Sequence, residues 1–78
     1  MHVVIAKVDE TFFNGEAHSL TLPGVEGELT VLSGHMPLVT TLKRGTIVVH
    51  DAGGAVLATV PIVDGVLEVR HDSATVIL

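Results

Sequence analysis

The stretch Thr46-Ile47-Val48-Val49-His50-Asp51-Ala52-Gly53-Gly54-Ala55-Val56-Leu57-Ala58-Thr59-Val60 decides the fold class. Two apolar segments, Thr46–His50 and Ala55–Val60, flank a tetrad that carries two glycines. β-Branched side chains pack well on a pleated strand and lose rotamer freedom in a helix. Asp51-Ala52-Gly53-Gly54 supplies the turn chemistry that reverses the chain, because glycine reaches backbone conformations closed to other residues. The stretch reads as a β-hairpin.

The same alternation of apolar runs and turn signals extends to both ends. Val3–Val8 reads as the first strand, Asn14-Gly15 as a turn pair and Ala17–Leu22 as the next strand. Pro23-Gly24 stops that strand, Val25–Glu28 is a loop and Leu29–Leu32 is a short strand. Ser33-Gly34-His35-Met36-Pro37 is a corner, and Leu38–Leu42 runs on to a turn at Lys43-Arg44-Gly45. Beyond the hairpin, Asp64-Gly65 is a turn or a bulge. Val66–Arg70 alternates, with Leu67 and Val69 on one face and Glu68 and Arg70 on the other. His71-Asp72-Ser73 turns and Ala74–Leu78 closes the chain. The longest stretches without glycine or proline, Met1–Asn14 and Val66–Leu78, carry no clean helical period. Eight or more short strands in one domain, residues 1–78, define an all-β sandwich or barrel with no linker or repeat.

A domain of 78 residues buries only about 60% of the surface its unfolded chain exposes, so it needs a dense core or a partner. The chain is 47% apolar with Phe12 and Phe13 its only aromatics, so Val, Leu, Ile and Ala must build that core. Cysteine is absent, which excludes disulfides and thiolate metal sites. Ile47-Val48-Val49 and Val76-Ile77-Leu78 place apolar groups on both faces of a strand. A strand with one face in water alternates, so these runs predict a covered outer surface.

Net charge is −5, from four basic and nine acidic residues. Lys7, Lys43, Arg44 and Arg70 are too few and too scattered to neutralise nucleic-acid phosphates or dock on an anionic membrane. No apolar run approaches the roughly 20 residues that span a bilayer. Met1-His2-Val3-Val4 lacks the basic-then-apolar order of a signal peptide. These features predict a soluble, cytoplasmic domain with no membrane insertion.

Chemistry-bearing patterns are sparse. Ser19, Ser33 and Ser73 lie in no nucleophile turn, and Ser33 beside His35 is adjacency rather than triad geometry. His2, His18, His35, His50 and His71 contain no pair at zinc-ligand spacing. Asp51, Asp64 and Asp72 fit turn chemistry without a calcium loop. The glycines at Gly24–Gly27 and Gly53-Gly54 precede no helix that could hold a phosphate. The expectation is no catalytic residue, no metal and no cofactor: an acidic, all-β interaction domain.

One block carries more. Leu22-Pro23-Gly24-Val25-Glu26-Gly27-Glu28-Leu29-Thr30-Val31-Leu32-Ser33-Gly34-His35-Met36-Pro37-Leu38 resembles the signature of the epsilon subunit of F-type ATP synthases, called delta in mitochondria. That family reads Leu-Pro-Gly, a further glycine, then a Gly-His-Ala-Pro-Leu corner. Phe13-Asn14-Gly15-Glu16, Thr41-Leu42-Lys43-Arg44-Gly45, Gly65-Val66-Leu67-Glu68-Val69 and Thr75-Val76-Ile77-Leu78 resemble further family segments in the same order.

The resemblance implies a two-sheet β-sandwich of about ten short strands. It implies a non-catalytic rotor subunit of the central stalk that binds the gamma subunit and the c-ring. Such a subunit couples proton or sodium flow to ATP synthesis, peripherally, on the cytoplasmic side of a bacterial energy-transducing membrane. Glu28 matches the family's c-ring-facing acid and His35 its corner histidine. A carboxylate in a partly desolvated contact makes a strong, charge-assisted hydrogen bond. Met36, Leu38, Val76 and Leu78 are the further partner-surface candidates. Departures from the pattern are Ser33 and Met36 for a usual proline and alanine, and Val63-Asp64 before Gly65 for Ser-Gly. Many bacterial members continue into a C-terminal helical pair. With the sequence ending at Leu78, the expectation is no such hairpin, no conformational brake and no ATP binding. The alternative is a free-standing ligand- or protein-binding module that shares only the fold.

Overall fold

The hairpin read from Thr46–Val60 forms, and its arms are far longer than the sequence suggests. The computed structural model describes residues 1–78 as seven strands without a helix. They are β1 (His2–Lys7), β2 (Glu10–Glu16), β3 (Ser19–Gly24), β4 (Gly27–Leu32), β5 (Leu38–His50), β6 (Val56–Arg70) and β7 (Ser73–Ile77). β5 and β6 pair antiparallel in a register unbroken from Leu38 opposite Val69 to Val49 opposite Ala58. The register shifts only between Val49 and His50, beside the hairpin turn.

Lys43-Arg44-Gly45 and Asp64-Gly65 are therefore neither turns nor bulges; they lie inside the two long strands. What changes there is the inward face. On β5 the buried residues are Leu42, then Ile47 and Val49. On β6 they are Val60 and Ile62, then Leu67 and Val69. The parity switches across Lys43-Arg44 and Val63-Asp64, consecutive pairs that are all exposed. Both strands cross from one layer to the other at this level, as strands do at the corners of packed sheets.

The hydrogen-bonded order is β2-β1-β7-β6-β5-β3-β4 in one continuous sheet. One layer holds β2, β1, β7 and the adjoining halves of β6 and β5; the other holds the remaining halves with β3 and β4. The expected two sheets of about ten strands are thus corrected to one seven-stranded sheet folded into two layers. Because β5 and β6 each serve both layers, the sandwich architecture stands while the strand count falls. Asn14-Gly15 is also not a turn: it lies in β2, opposite Val4 and Val3, and the reversal falls upstream at Val8-Asp9. Pairing with β1 satisfies backbone groups that a turn at Asn14 would leave open.

Fifteen buried apolar residues form one cluster, from Val3 and Ile5 on β1 to Ala74 and Val76 on β7. Phe13 packs against it from β2. No polar or charged side chain is buried. Burial of aliphatic surface, worth roughly 25 cal/mol per Å², is what holds the layers together.

Candidate partner-docking surface

β3 alternates cleanly, with Leu20 and Leu22 buried and Ser19, Thr21 and Pro23 half-exposed. β4 pairs with it in register and turns Leu29 and Val31 inward. That phase sends Glu28, Thr30 and Leu32 outward. Glu28 sits opposite Pro23, at the end of the strand nearest the layer crossing. It borders a shallow groove of about 310 Å³ with Gly24, Glu26, Gly27, Leu29, Leu38 and Thr40. The carboxylate forms no ion pair within the domain.

The corner Ser33–Pro37 lies beyond the opposite end of β4. It is held from several sides. The Gly34 N–H donates to the His71 carbonyl at 2.8 Å, and the His35 N–H to the Leu32 carbonyl at 3.1 Å. The Ser33 hydroxyl donates to Asp72 Oδ1 at 3.3 Å, so its proton points away from His35. Gly34 has φ +83°, a left-handed conformation that suits glycine. The His35 ring is half-buried, with Nδ1 2.8 Å from the Met36 carbonyl oxygen. Met36 beside it is 79% exposed.

Glu28 and Leu38 thus share a groove, whereas His35 and Met36 form a separate corner site. Leu38 is half-buried and packs on the core. Val76 is fully buried in the core, which corrects its reading as a surface candidate. β7 alternates with Ala74 and Val76 inward, and it is Ile77, 60% exposed, that faces out. Leu78 is half-buried and lines a cleft of about 350 Å³ with Lys7, Phe12, Arg44, Pro61, Ile62, Val63 and Asp64.

Residues that the sequence reading passed over lie on the outer face of the first layer. Val66 pairs with Ile77 and with Thr41, and Ile77 pairs with Ala6. Both Val66 and Ile77 are exposed. The signal was present: once Leu67 points inward, Val66 must point outward, and antiparallel pairing then selects Ile77 over Val76. No group of three His, Asp or Glu residues comes together as a metal site.

The site as a whole is a two-layer β-sandwich with an exposed aliphatic row and shallow grooves. The family described as "ATP synthase, Delta/Epsilon chain, beta-sandwich domain" matches residues 1–78. An ATP synthase epsilon chain from Herminiimonas arsenicoxydans is 39% identical over 77 residues, which cover 99% of this chain and 55% of that relative. A chain of the Euglena gracilis mitochondrial ATP synthase, solved as an OSCP/F1/c-ring assembly, superposes with a TM-score of 0.86 at 26% identity. That match covers 96% of this chain and 48% of the Euglena chain. A chain of the Tetrahymena thermophila central stalk and c-ring structure superposes at 0.80 over 97% of this chain and 60% of that one; at 14% identity it speaks to fold alone. The chain belongs to the ATP synthase delta/epsilon family. It spans about half the length of the curated relatives it matches.

Proposed function

We propose that this domain is the β-sandwich of a central-stalk subunit in an F-type ATP synthase. In this reading it does no catalysis. It binds gamma and the c-ring so that proton- or sodium-driven rotation reaches the catalytic head. It sits peripherally on the membrane-bound complex, on the cytoplasmic side of a bacterial inner or plasma membrane. The observation that carries the reading is the match of the whole chain to the delta/epsilon family, together with its superposition on a chain of the Euglena OSCP/F1/c-ring assembly.

Physical features support the assignment of contacts. The exposed, unpaired Glu28 carboxylate offers strong acceptors to basic or amide groups on c-ring loops. His35 and Met36 project from a corner braced by three hydrogen bonds from its own residues to neighbouring segments. Ile77 and Val66 give a continuous apolar row suited to a gamma surface. Size-exclusion of this chain with a matching gamma subunit tests the reading. Co-elution at one-to-one stoichiometry supports it; separate elution of two folded partners overturns it.

A further inference from the structure

The two halves of β6 differ in their neighbours. From Val66 to Val69 the strand is paired on both sides, by β5 and by β7. From Val56 to Ile62 it is paired by β5 alone. No backbone hydrogen bond outside the strand ladders reaches this half. No strand fills the cleft that Pro61, Ile62 and Val63 share with Lys7 and Phe12. An open edge of this length is a template for another strand.

Composition sharpens the exposure. Val56-Leu57-Ala58-Thr59-Val60-Pro61-Ile62-Val63 holds no charged side chain and is rich in β-branched residues. The two outermost strands of the sheet do carry charge: Glu10 and Glu16 on β2, Glu28 on β4. Uncharged windows of high β propensity that lack proline are the signature of strand-to-strand association. Pro61 is the one residue that breaks this window. It lies opposite Thr46, in a register continuous through Val60 and Thr59. Proline sits inside a strand where its missing N–H faces an open edge. Backbone groups alternate along a strand, so Thr59 turns its N–H to that same edge.

We infer that Pro61 is an edge guard: it closes the Val56–Ile62 edge to a second copy of this chain by removing a donor that strand pairing needs. Pairing of two like edges about a two-fold axis is isologous, so the gap occurs once in each copy. Each gap leaves a carbonyl of the facing strand without its donor, which costs more than a bond never made. The edge therefore stays exposed and unpaired although its other residues favour pairing.

The test is sedimentation equilibrium of the 78-residue chain beside Pro61→Val and Pro61→Thr, from about 10 μM to about 1 mM. Both substitutions restore the donor with a residue suited to a strand. The unmodified chain should remain monomeric. Both variants should self-associate about tenfold more tightly or better, the worth of one restored bond in each copy. Amide exchange locates the contact: Thr59 should exchange freely in the unmodified chain and become protected in the associated variants. Folded variants that stay monomeric overturn the inference, as does association that leaves Thr59 unprotected. An unmodified chain that dimerises with Thr59 protected overturns it as well. Loss of the fold in both variants, read by urea unfolding, would make Pro61 a packing residue and overturn its role as a guard.

Discussion

Leu78 closes directly over Gly65: a Cβ built on Gly65 would lie 2.8 Å from Leu78 Cδ2 and 3.1 Å from the Ile77 carbonyl oxygen. Gly65 also has φ +153°, a backbone state that other residues rarely adopt. It sits where β6 passes between layers, opposite Leu42. Strain and crowding act together, so Gly65→Ala should cost about 2 kcal/mol or more. Urea unfolding checks this through a lower midpoint at unchanged slope. In a chain this short, such a loss lowers the melting temperature by roughly 10 °C.

Val76 and Ile77 are neighbours in sequence with opposite environments, 0% and 60% exposed. Val76→Ala leaves a cavity in the aliphatic core and should cost about 2 kcal/mol. Ile77→Ser should stay within about 0.5 kcal/mol in the isolated chain. In size-exclusion with gamma the order reverses, because only Ile77 belongs to the proposed contact row. Equal stability losses for the two variants would contradict the assigned strand phase.

Asp51 closes the β5–β6 hairpin through Oδ1, which accepts from the Gly53 N–H and the Ala55 N–H, each at 2.9 Å. Asp51→Ala removes both bonds at an exposed site and should cost about 1 kcal/mol. Amide exchange at Gly53 and Ala55 should speed up while the core strands keep their protection.

Glu28 is exposed, at the end of β4, and forms no ion pair within the domain. Glu28→Lys should therefore change stability by no more than about 0.5 kcal/mol. Its effect should appear in the assembled enzyme as weaker coupling of ion flow to synthesis. Unfolding of the variant would make Glu28 a structural residue and remove it from the proposed contact.

The central hairpin was legible because its turn and both apolar arms are local features of Thr46–Val60. Its extension was not. Lys43-Arg44-Gly45 and Asp64-Gly65 carry turn chemistry, and only the register between β5 and β6 keeps them in strand conformation. β2 was hidden for a similar reason: Asn14-Gly15 imitates a turn, but the β1 edge recruits it as a strand. At the candidate site, Glu28 and His35 were identified by resemblance, and their surroundings came only with the fold. Val76 was misplaced because an apolar Val-Ile-Leu run does not reveal which residue faces in; pairing of Val76 with Leu67 and Ile5 decides it. The contact between His35 Nδ1 and the Met36 carbonyl left no sequence signal beyond the histidine two residues before a proline.

The most direct measurement is ion-driven ATP synthesis by membranes whose ATP synthase has been stripped of this subunit, before and after adding the chain. The account predicts that the added chain binds the complex at one copy per stalk and restores synthesis. A folded chain that neither binds nor changes synthesis would contradict a role in the central stalk.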